Sequence, residues 1–226
     1  MNEQERAEEH LKTIRRMMER ATIYRAISAP TALVGGVLSL MASGYYLKWF
    51  HHFGPGDYIA GEQNNFLRLW MLVLILTGVA NTIFIVAGSR KHGEPVLSTS
   101  MKAAFIALAP ALVAGGAFTL YFAGMGWIPL VDFYMAVGWS IFYGLALLAT
   151  SHFAPRSLTL LGYAFLVSGL VAFLVYRFSN GFFIDVISGE PDTQPTGILF
   201  MALTFGLYHL IYALCAWPRK GAAPEL

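Results

Sequence analysis

The sequence predicts an all-α integral membrane protein. Its six transmembrane helices form three similar helical hairpins, preceded by an N-terminal amphipathic cytoplasmic helix. Three observations lead there. The 226 residues are 57% hydrophobic and only 12% charged, about half the charge of an ordinary soluble domain. The apolar residues fall into six segments, each close to the ~20 residues a helix needs to cross ~30 Å of hydrocarbon. Finally, Ala29-Pro30-x4-Gly35-Gly36-x2-Ser39-Leu40-x3-Gly44 recurs as Ala109-Pro110-x4-Gly115-Gly116-x2-Thr119-Leu120-x3-Gly124.

The chain divides into an N-terminal helix (1–26), a transmembrane domain (27–217) and a tail (218–226). Residues 3–26 lack Gly and Pro and are rich in Glu, Arg, Met and Ala, which favours helix. Ala7, Leu11, Ile14, Met18 and Ala21 form a narrow seam at spacings of four and three. Two uses compete. In one, Arg15, Arg16, Arg20 and Arg25 meet anionic headgroups at the bilayer surface. In the other, the helix packs on a protein partner or on a second copy of itself. The weak seam favours the lipid surface. A charged start followed by a full-length apolar run does not read as a cleavable signal peptide.

The spans are expected at 27–48, 67–88, 103–125, 129–151, 157–177 and 196–217. Twelve Lys and Arg lie in the segments on one side of this arrangement. Three (Lys48, Arg68 and Arg177) lie on the other. The positive-inside rule then places both termini in the cytoplasm of a bacterial inner membrane. Tyr45, Tyr46, Trp49, Trp70, Trp127 and Tyr176 are expected at the outer interface, and Tyr24, Phe153 and Trp217 at the inner one. Trp139 falls mid-span and reads as packing.

Spans 1 and 3 carry the recurring motif, and span 5 a weaker form at Ser168-Gly169. The even spans all end in basic, Pro-containing stretches. The loops after spans 1 and 5 share Asp-x-Ile-small-Gly-Glu, at Asp57–Glu62 and Asp185–Glu190. Each hairpin has the same orientation, a parallel triplication. Lipid provides no hydrophobic drive for helices to associate, so small residues that permit close approach must supply it. Gly35, Ser39 and Ser43, then Gly115, Thr119 and Ala123, then Gly169 and Ala172, are expected to meet at the bundle centre. Pro30 and Pro110 are expected near helix starts, where a missing N–H costs little.

Polar groups within spans are functional candidates by default. Asn81 and His209 each lie about 13 residues from the outer end, roughly 20 Å deep at 1.5 Å per residue. Tyr143 reaches a similar depth, Thr77 is one turn above Asn81, and Thr204 and Tyr208 flank His209. Were the even spans to face one another, Asn81, Tyr143 and His209 would form one ligand-binding or proton-linked cluster. Interhelical hydrogen bonding is the simpler account. Asp132, one turn into span 4, suits a capping role at a helix N-terminus. His51, His52, Asp57, Glu62, Asp185 and Glu190 are outer-loop candidates. Asp57 and Asp185 with Gly61 and Gly189 suit a short capped turn better than a metal site. Cys215 is the one cysteine, so no internal disulfide forms.

No phosphate-binding loop, His-Glu-x-x-His, nucleophile elbow or Cys-x-x-Cys occurs. No cofactor and no nucleic-acid partner are expected. Three function classes remain. A non-catalytic scaffold, accessory subunit or sensor leads. A small-solute transporter or channel built on the polar cluster follows. A membrane enzyme acting on a lipid or quinone at the outer face comes last.

Overall fold

The computed structural model describes residues 6, 8–11, 29–50, 62–92, 99–124, 131–152, 154–178 and 196–217. Among the described residues, six long helical segments are present. They are α1 (Ala29–Phe50), α2 (Glu62–His92), α3 (Thr99–Gly124), α4 (Val131–Ala149), α5 (Arg156–Phe178) and α6 (Thr196–Ala216). Helix α6 is composite, with an α-helical start (Thr196–Met201), a π-helical wind (Ala202–Tyr208) and an α-helical end (His209–Ala216). No strand occurs among the described residues. Residues 6 and 8–11 are helical. Arg15, Arg16, Arg20 and Arg25, the two Asp-x-Ile-small-Gly-Glu loops and the tail lie outside the described residues.

Five helices, α2 to α6, are long and apolar enough to cross a membrane, and the protein is membrane-embedded. Helix α1 falls outside that set. At 22 residues it is long enough. Five of the six expected spans are helices long and apolar enough to cross, and α1 packs among them.

Helix borders follow from local chemistry. Helix α4 opens with Asp132 in its first turn, where a carboxylate complements the helix dipole. It closes in a tight turn in which the N–H groups of Thr150 and Ser151 donate to Leu147 O and Leu148 O. The Thr150 hydroxyl also donates to Leu147 O at 2.7 Å. Pro155 immediately precedes helix α5, and its carbonyl accepts from the N–H groups of Leu158 and Thr159. Proline suits this place because it gives no N–H to the turn before it. Helix α2 runs 31 residues, well past the expected 67–88, because polar residues at its ends continue a helix as readily as apolar ones. Pro30 is the second residue of α1, as expected. Pro110 is not near a helix start: it lies inside α3, where its ring removes the N–H that would reach Ile106 O.

Helix α4 is the central element. It packs against α3, α5 and the start of α6, and touches α2. Helix α1 packs against α2 and against the π-helical and final parts of α6. Two core clusters show the helix directions. One joins Ala29 of α1, Leu147 of α4, Leu158 of α5 and Ala216 of α6. The other joins Tyr46, Phe66, Val131 and Ile198. The start of α1 therefore lies beside the end of α6, and its end beside the start of α6.

The small-residue faces do not meet at the centre. Gly35 abuts the Thr77 methyl of α2, Gly115 abuts Phe142 of α4, and Gly169 abuts Ile141 and the Val137 carbonyl of α4. Each of these three glycines meets one neighbouring helix. Ser39 and Ser43 are buried, as are large side chains such as Phe66, Phe165, Met135 and Leu147. Ser43 and Thr119 donate back to Ser39 O and Gly115 O within their own helices. Tyr46 and Trp70, expected at the outer interface, are buried against Phe66. Trp139 packs as expected. It stacks on Phe66 at 5.8 Å and donates from Nε1 to the Thr119 hydroxyl at 2.8 Å.

Candidate functional site

Two of the three polar residues expected to cluster come together. The Tyr143 hydroxyl of α4 lies 2.9 Å from His209 Nε2 of α6. His209 Nδ1 lies 2.9 Å from Phe205 O. A carbonyl can only accept, so Nδ1 carries the ring proton and donates it to Phe205 O. In the neutral ring Nε2 is the acceptor, and the Tyr143 hydroxyl donates to it. Both ring nitrogens are used.

Asn81 stands apart. Its Oδ1 accepts from the Thr31 hydroxyl of α1 at 2.9 Å. Helix α2 packs against α1 on one side, while α6 packs against α1 on another, so α1 takes the contact the cluster required. Thr77 is turned toward Gly35, and its buried hydroxyl has no hydrogen-bond partner. The Thr204 hydroxyl donates to Phe200 O one turn back, at 2.8 Å. Thr77 and Thr204 therefore do not join the Tyr143–His209 pair by any of these bonds.

An aromatic wall encloses the pair. Phe165 of α5 lies 5.3 Å from the His209 ring and 4.8 Å from Tyr143. Phe205 stacks on His209 at 6.1 Å and lies 4.9 Å from Phe165. Tyr208 meets Phe165 edge-on, and its hydroxyl shares a 2.7 Å hydrogen bond with Ser168. The Ser140 hydroxyl donates to Phe165 O at 2.8 Å. Three helices are thereby joined through polar atoms that would be costly to leave unpaired in hydrocarbon. Phe205 was within reach of sequence reasoning, since it precedes His209 by one helical turn. Phe165 and Ser168 carry no such signal.

The backbone around His209 is unusual. In an α-helix the His209 N–H would donate to Phe205 O. Here it donates to Gly206 O. Phe205 O is served by the imidazole instead. Gly206 permits α1 to approach: a Cβ there would stand 2.6 Å from Leu40 Cδ2, and one at Gly36 would stand 3.0 Å from Gly206 O.

Asp132 occupies the first turn of α4 as expected, with Gly197 of α6 packed closely on its backbone carbonyl. His51, His52, Asp57, Asp185 and Glu190 lie outside the described residues. Glu62 opens α2, and its side chain is likewise outside them. Among the described residues, no three His, Cys, Asp or Glu side chains gather as metal ligands would. Cys215 is exposed on the apolar surface of α6.

The arrangement holds helices together and leaves no ring nitrogen open for coordination. Comparison of the chain with protein-family models, curated proteins and solved structures finds no match.

Proposed function

We propose that this chain is a non-catalytic multi-pass protein of a bacterial inner membrane, acting as a scaffold, accessory subunit or sensor. The observation that carries the reading is the internal pairing of His209, both of whose ring nitrogens bond within the protein. Tyr143, His209 and Asn81 each bond within the protein, and no charged side chain lies beside them in the contacts described. A transport or catalytic site keeps a valence available for its substrate; His209 uses both of its ring nitrogens within the protein. Fold alone does not decide between such roles, so the argument rests on the site.

The test is native mass spectrometry with an absorption spectrum, on full-length protein purified in mild detergent. Ligand-free protein is expected. A retained small molecule or chromophore that disappears in His209→Leu would overturn the reading.

The same proposal includes six crossings with both termini cytoplasmic. The distribution of Lys and Arg supports the orientation. The pairing of Ala29 with Ala216 and of Tyr46 with Ile198 in the core supports α1 as a crossing helix, since α1 lies along the whole length of α6.

A further inference from the structure

Ala202–Tyr208 is the only stretch among the described residues where a helix departs from α-helical winding. A π-wind holds an extra residue between its flanks and is often found at functional positions. Here the flanks are both seated. Upstream, Ile198 and Met201 pack with Met135 and Ala136 of α4. Downstream, Tyr212, Ala213 and Ala216 pack with Ala29, Ala32, Leu158 and Leu161. The side chains at the wind act on its backbone. Thr204 donates to Phe200 O, and His209 donates to Phe205 O, each reaching back four residues. Tyr143 of α4 then fixes the far side of the imidazole.

We propose that Ala202–Tyr208 is a two-register switch in α6, latched in its π form by the Tyr143–His209–Phe205 chain of hydrogen bonds. Relaxing the wind to an α-helix would turn the downstream half by about 100° and advance it by about 1.5 Å. Such a turn lifts His209 from Tyr143 and moves Gly206 from its close approach to Gly36 and Leu40. Loss of the Tyr143–His209 bond is the release. The movement links the middle of α4 to the Ala216 end of α6, and through it to the start of α1. The device stands whether or not the chain is non-catalytic, because it rests on the backbone and its side-chain bonds.

Pulsed electron–electron distance measurements on the full chain test it, in a Cys215→Ser background. Spin labels replace the exposed Leu160 of α5 and the exposed Leu214 of the downstream half. A control pair uses Leu160 and the exposed Leu199 of the upstream half. His209→Leu is expected to shift the Leu160–Leu214 distance and leave the Leu160–Leu199 distance in place. Deletion of Leu203 removes the extra residue, so the downstream half should keep its native distance on an uninterrupted α-helix. In that background His209→Leu should have no effect on the distance. Native distances for both pairs in His209→Leu would overturn the proposal, as would a shift that persists after the deletion. Should His209→Leu fail to fold, Tyr143→Phe decides. A second population at a changed Leu160–Leu214 distance is expected, and a single native one overturns the switch.

Discussion

Both ring nitrogens of His209 are engaged, so its removal has a different cost from removal of its partner. Tyr143→Phe deletes one donor and leaves Nε2 bare, a loss of about 1 kcal/mol for an intramembrane hydrogen bond. His209→Leu leaves both the Tyr143 hydroxyl and Phe205 O without the imidazole, a loss of about 2–3 kcal/mol. The double variant should cost less than the sum of the two, since the stranded hydroxyl is gone. Equilibrium unfolding in mixed micelles reads all three, and additive losses would show that the bond contributes nothing. Gly144 supplies a second residue-level test. A Cβ there would lie 2.6 Å from Leu166 N and 2.8 Å from Gly162 O, both backbone atoms that cannot step aside. Gly144→Ala is expected to separate α4 from α5 and cost about 1–3 kcal/mol, measured by the same unfolding assay. The polar residues were legible in sequence because they interrupt apolar runs. Their partners were not, because a hydrogen bond across helices depends on rotation about each axis, and Asn81 is paired with Thr31 of α1.

Helix borders were legible to within a few residues for α1, α3, α4, α5 and α6, since apolar length and turn chemistry act locally. The π-wind was not, because it arises from seating both ends of α6 at once. The recurring motif shows how like sequences take unlike surroundings. Gly36 of the first copy is pressed against Leu210 and Gly206 of α6, while Gly116 of the second has nothing within 4 Å. Leu120, the counterpart of Leu40, is 75% exposed against 38%. Gly36→Ala is therefore expected to lower stability. Gly116→Ala should be neutral or stabilising by about 0.5–1 kcal/mol through helix propensity. Equal effects in thermal unfolding would mean that the two copies share one environment.

The molecule as a whole is built around α4, with α1 joined to it through α6, and α2 packed on α1 and touching α4. Helices α2 and α3 turn broad apolar faces outward, including Leu74, Ile75, Ile83, Ile106, Val113 and Leu120. In a bilayer such faces carry no penalty, since lipid is as apolar as they are. Topology is the prediction that belongs here. Single cysteines replacing Arg6 and Trp217, in Cys215→Ser protein, should be labelled from the same side if α1 crosses. Labelling from opposite sides would leave five crossings. A cysteine replacing the exposed His152 in the α4–α5 turn should react from that same side, and one replacing Phe178 from the other.

The amino-acid sequence alone determined the apolar helices, their borders, the charge asymmetry along the chain and the short list of polar residues within spans. These depend on composition and local backbone chemistry, which act over one helix at a time. Only the tertiary structure decided that α4 is central, that small-residue faces meet neighbours and not one another, that Tyr143 and not Asn81 binds His209, and that α6 carries a π-wind. Each of these depends on the rotation of whole helices against several others. In an apolar solvent no hydrophobic drive selects that rotation, and close packing with hydrogen-bond pairing decides it instead.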